Sequence, residues 1–150
     1  VSDLMCPARV ACLVAGDAAA LLPYRPVRVF VAPGDGGAYG VTVEEHAGLA
    51  CPGGVPRGSW LRDGDLDAPS GDGVSGRQLL DRFADALTDI AERNRGYTVA
   101  VVSGAVELPL AALCTGLTPA RVYAAPLRPG DVALVEYDAD GWRYVSGWPA

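Results

Sequence analysis

The sequence predicts an α/β fold with a mainly parallel central sheet and an antiparallel C-terminal hairpin, and three observations predict it. Thr98-Val-Ala-Val-Val-Ser103 and Arg9-Val-Ala-Cys-Leu-Val14 are apolar runs without a breaker, the pattern of strands buried on both faces. Ser75 to Arg95 repeats apolar residues at three-and-four spacing, as a helix lying on such a sheet does. Asp138-Ala-Asp-Gly141 joins two further apolar runs with hairpin chemistry, which makes the last strands antiparallel.

In chain order, Arg9 to Val14 ends at Ala15-Gly16-Asp17, and Ala18 to Leu22 makes about a turn of helix before Pro23 and Pro26 interrupt it. Arg28-Val-Phe-Val-Ala32 is a third strand, closed by the Pro33 to Gly37 turn cluster. Gly40 to Pro69 reads as loop, with Val41-Thr-Val43 as a short edge strand. The long helix opens on a capping box, Ser75 with Gln78, and stops at Gly96; Leu79, Leu80, Phe83, Leu87, Ile90 and Ala91 form its apolar stripe. Thr98 to Ser103 is the central strand, and it runs through Gly104-Ala-Val-Glu into a short helix, Leu108 to Thr115. Arg121-Val-Tyr-Ala-Ala125, Val132 to Tyr137 and Trp142 to Ser146 read as strands.

With 150 residues, half of them hydrophobic, the chain is expected to fold as one domain around one core. The net charge of −6, with all 12 basic residues arginine and scattered, argues against nucleic acid as a partner. The lysine-free composition points to a GC-rich, bacterial-type genome. No run approaches the length of a membrane span and no charged-then-apolar leader is present, so a cytoplasmic protein is expected, without a membrane partner.

Cys6, Cys12, Cys51 and Cys114 form no C-x-x-C pair, so no metal site is expected and the thiols are read as reduced. Gly71-Asp-Gly-Val-Ser-Gly76 has the letters of a dinucleotide fingerprint, but Asp67-Ala-Pro-Ser70 stands where a buried strand should feed it. It is read as a linker, and no cofactor is expected. Ser103 lacks both a nucleophile elbow and a base.

The order of elements, with Val29-Phe-Val-Ala-Pro33, Asp72 to Ala91, Val101-Val-Ser-Gly-Ala105 and Pro129 to Tyr144, resembles the histidine phosphatase superfamily, the phosphoglycerate-mutase-like enzymes. Together with the element order, the resemblance implies a three-layer α/β/α sandwich, a single truncated domain over residues 1–150. In that family one histidine attacks phosphorus, a second histidine and two arginines neutralise the phosphoryl oxygens, and an acid protonates the leaving group. Carried over, the first Arg-His pair falls on Val14 and Ala15, before Gly16; the second histidine falls on Gly104, and the second arginine within Gly34 to Gly37. Glu44 or Glu45 matches the family acid, and His46 matches neither catalytic histidine.

A site without cations cannot stabilise the spread charge of a phosphoryl transfer. The expectation is therefore a vestigial pocket with no catalytic residues, made of Val14, Ala15, Gly16, Asp17, Asp35, Glu44, Glu45, Gly104, Ala105 and Glu107. It would bind a protein partner or a non-phosphorylated small ligand; alternatively, its carboxylates would assist an isomerisation, cyclisation or hydrolysis. Trp60, Trp142 and Trp148, with Tyr137 and Tyr144, are read as interface anchors, the alternative being that Trp142 and Tyr144 pack on the domain's own core, and the C-terminal hairpin as a surface for a homodimer or a heteromeric complex.

Overall fold

The computed structural model describes residues 6–149. Six strands make one sheet in the order β3-β2-β4-β1-β5-β6. They are β1 (Ala8–Leu13), β2 (Arg28–Val31), β3 (Thr42–Glu45), β4 (Thr98–Val102), β5 (Ala133–Asp138) and β6 (Gly141–Ser146). The first four run parallel, and β5 and β6 are antiparallel to their neighbours. The expected central strand is β4, between β1 and β2, with Val99, Ala100, Val101 and Val102 all buried.

The helices are divided unequally between the faces. One face carries α2 (Gly76–Arg93), α3 (Glu107–Leu113) and α4 (Pro119–Ala124), whose Leu79, Phe83, Leu87, Ile90, Leu110 and Val122 pack on Val10, Cys12, Phe30, Val99 and Val101. The other face carries one turn of helix, α1 (Ala18–Leu21), and a 3₁₀ turn over Leu22–Tyr24. There Ala11, Leu13, Val29, Val31, Ala100 and Val102 meet Leu21, Tyr24 and Tyr39. The third layer is thus thin, because the segment following β1 is short.

Local chemistry sets the boundaries. The Ser75 hydroxyl accepts from the Gln78 amide while the Gln78 side chain accepts from the Ser75 amide, so the expected capping box starts α2. The expected hairpin is closed by Asp138 opposite Gly141. The linker before α2 is a turn in which the Ser70 amide donates to the Val74 carbonyl, with no strand feeding it. Within residues 40–69, Trp60 is 2% exposed in a single π-helical turn, Gly58–Arg62, and donates to the Ala68 carbonyl.

Two expectations are corrected. Arg121 to Ala125 is not a strand but the body of α4: Thr118 caps it by accepting from the Arg121 amide, and Pro119 occupies its first turn. Of that run Val122 alone is buried, which suits one turn of helix and not a two-sided strand. The tryptophans are not surface anchors either, since Trp142 is 7% and Trp148 6% exposed, both in the domain's own core. The outer edge of β6 is met by Thr115, whose amide donates to the Trp142 carbonyl and whose carbonyl accepts from the Tyr144 amide. Among the described residues no helix is long and apolar enough to cross a membrane.

All four cysteines are free, and Cys12 and Cys114 are buried in the α2 face. Burial pushes the Cys12 thiol up, with Cys114 adding to the effect, and burial pushes Cys114 up to about 12. In the unfolded chain each thiol ionises near its ordinary value of about 8.5. Stability is therefore fully present below that pH and falls as pH rises through the window up to the folded values, because the unfolded state alone releases protons there. The expected slope approaches about 1.4 kcal/mol per pH unit for each thiol. Urea unfolding between pH 7.5 and 10.5 checks it, with a flatter profile in Cys12→Ala/Cys114→Ala.

Candidate functional site

The C-terminal ends of β1, β2 and β4 converge on one open cleft. Its floor is Val14, Ala15 and Val102, its walls are Gly16, Gly34, Asp35 and Gly36, and Tyr39 lies across one side. This is where parallel α/β sheets place ligands, because strand ends leave side chains and backbone groups facing a common crevice. A Cβ on Gly16 would collide with the Tyr39 hydroxyl, so residue 16 admits the phenol because it has no side chain.

Four residues expected in one pocket, Val14, Ala15, Gly16 and Asp35, meet here; the others are placed elsewhere or otherwise employed. Asp17 adjoins the cleft and caps α1 by accepting from the Ala20 amide at 3.1 Å. Glu45 reaches the loop after β2 and accepts from the Gly34 amide at 2.6 Å. Its neighbour Glu44, on the opposite side of the strand, stands 4.0 Å from Arg93 of α2. Gly104, Ala105 and Glu107 line a separate apolar hollow with Trp60, Leu61, Leu79 and Leu108.

Glu107 is no free acid. Arg57 grips its carboxylate with Nε at 2.7 Å and Nη2 at 3.3 Å, and the Leu127 amide donates to the same group. Arg57 also donates to the Val122 and Tyr123 carbonyls in the last turn of α4 and stacks 5.2 Å from the Tyr123 ring. One guanidinium thus joins the π-turn segment, α3 and α4.

Among the described residues no histidine lines the cleft. His46 sits beside α2: its Nδ1 accepts from the Gly48 amide, which leaves Nε2–H to donate to Asp89. That hydrogen bond, with Arg93 assisting, holds the Asp89 carboxyl below the usual carboxylate range. Ser103 is 1% exposed and donates to the Leu49 carbonyl, a structural role.

Two residues escaped sequence reasoning. Tyr39 gave one signal, being the lone aromatic of a glycine-rich stretch. Cys51 gave none: it lies against Gly104, where a Cβ would stand 3.2 Å from its sulfur. Burial first and the Asp35 charge second push this thiol up, against the opposing pull of Arg82, so it is not an activated nucleophile. Arg82 donates to the Ala50 carbonyl. Among the described residues no group of three or more His, Cys, Asp or Glu could hold a metal ion.

Because Arg57 ties three elements together, Arg57→Ala should destabilise the fold by about 2 kcal/mol. That is below the loss for a fully buried pair, since water still screens the guanidinium. Urea unfolding measures it, and a change under about 0.5 kcal/mol would contradict the assigned role.

Comparison with curated proteins found no match. Among solved structures, a mutant phosphoserine phosphatase from Entamoeba histolytica in complex with phosphoserine is similar, with a TM-score of 0.66 and 12% identity over 93% of this chain and 96% of that one. A putative alpha-ribazole-5'-P phosphatase from Escherichia coli K-12 is similar with a TM-score of 0.58 and 11% identity, over 94% and 96% of the two chains. At such identities the likeness is one of fold. Residues 55–147 match the family described as histidine phosphatase superfamily (branch 1), and with the sheet order, the α2 linker and the hairpin in place, the chain belongs to that superfamily.

Proposed function

We propose that the chain is a non-catalytic member of the superfamily, which transfers no phosphoryl group and acts by binding a protein partner or a non-phosphorylated small ligand. One observation carries this reading: among the described residues, no histidine and no arginine lines the cleft at the ends of β1, β2 and β4. Phosphoryl transfer needs positive charge on the equatorial oxygens and a group to attack or to activate water. The floor offers Val14 and Ala15 instead, and the charge at the rim is that of Asp35 and Asp17, which would repel a phosphate monoester.

A carboxylate-assisted reaction has less support. Such chemistry wants an acid kept protonated in an apolar, closed site. Here Glu107 is paired with Arg57, Glu45 and Asp17 accept from backbone amides, and Asp35 is exposed.

With p-nitrophenyl phosphate the protein should release phenolate at the buffer rate, and protein-dependent turnover would sink the reading. Restoring Val14→Arg, Ala15→His and Gly104→His together should still give no turnover. A second arginine is missing, and a side chain at residue 104 would press on the Cys51 sulfur, 3.2 Å from its Cβ. Recovered hydrolysis in that triple variant would mean that the rest of the cleft has stayed competent.

A further inference from the structure

On the thinly covered face, the chain crosses from β1 to β2 through α1 and the turn Leu22–Tyr24, and from β2 to β3 through residues 32–41. An apolar groove lies there, lined by Leu21, Leu22, Pro26 and Val41. Leu22 is 73% and Val41 37% exposed, so water covers apolar surface that the domain's own core leaves open. Tyr39 is a wall of this groove and of the cleft alike.

Charge is distributed unevenly along this path. Arg25, also on the groove, precedes β2, whereas Asp35 follows it, so the strand's length of about 13 Å separates the positive end from the negative one. At the cleft end, Asp35 and Asp17 both act on the Tyr39 phenol and, after burial, push it up. Among the described residues the Asp35 carboxylate has no hydrogen bond or ion pair, and no cation lines the cleft.

We propose that groove and cleft together form one binding site for a small primary amine on an apolar chain. The ammonium faces Asp35 and Asp17, the hydrocarbon lies against Leu21, Leu22 and Val41, and the Tyr39 ring contacts both parts. An ammonium finds the Asp35 carboxylate on the cleft wall, the Asp17 cap close enough to act on the same phenol, and an aromatic face, a combination that favours cations. An anion meets like charge at the same place. The inference rests on the reading of the cleft as a site that has given up phosphoryl groups.

The test is an NMR titration of the full chain with n-hexylammonium, alongside n-hexanol, hexanoate and hexyl phosphate at equal concentrations. Hexylammonium should bind saturably, with shifts concentrated at residues 16–22 and 34–41. Asp35→Asn and Asp17→Asn should each weaken it about fivefold or more. Asparagine at 17 keeps the helix cap, and Asp35 is exposed, so neither change should disturb folding. Absence of saturable binding, equal binding of hexanol, or indifference to the double substitution would overturn the inference. Preferred binding of hexyl phosphate would overturn the inference and, with it, the non-phosphorylated ligand of the functional reading. The inference and the non-catalytic reading are separable by the p-nitrophenyl phosphate assay: turnover refutes that reading, while no turnover with no amine binding refutes the inference alone.

Discussion

Burial of β4 on both faces is the constraint from which the rest follows. A strand with Val99 to Val102 all buried needs apolar cover above and below the sheet. Below, the regular stripe of α2 supplies it over five turns; above, the crossovers from β1 and β2 contribute one helical turn and Tyr39. The unequal supply explains where openings remain. They lie on the side where irregular backbone and single side chains do what a helix does on the other.

The arginines belong to the architecture. Arg57 closes the π-turn segment onto α3 and α4, Arg93 sits over the Phe30 ring beside Glu44 and Asp89, and Arg143 joins Glu136 and Asp138 on the hairpin. Arg9 adds to the Glu136 group from β1. Exposed pairs of this kind contribute little each, while the partly buried Arg57–Glu107 pair holds elements 50 residues apart. With these arginines so placed, the cleft at the strand ends is lined by a carboxylate and, among the described residues, no cation, and its electrostatic character follows from that placement.

Much of this was legible in the sequence. The parallel strands and α2 announce themselves by period and by caps, since each depends on residues adjacent in the chain. The α4 segment misleads for an instructive reason: Arg121-Val-Tyr looks β-forming, yet the Thr118-Pro119 start signal governs. The role of Tyr39 has no periodic signature, because a lone ring in a glycine-rich loop finds its place through tertiary contact. Likewise Glu107 looks like an available acid until the fold brings Arg57 to it, and no local pattern encodes that meeting.

The backbone of Thr115 on the outer edge of β6 bears on whether another strand can extend this sheet. Open sheet edges invite another strand to dock, and here one edge is already occupied mid-strand by a piece of loop that uses both its donor and its acceptor. The opposite edge, β3, is four residues long and carries Glu44 and Glu45 in succession. Like charges stacked across a shared edge repel, so a short acidic strand on one side and a plugged one on the other guard the sheet against runaway growth. An association that uses the hairpin must therefore go through its side chains, or first evict Thr115.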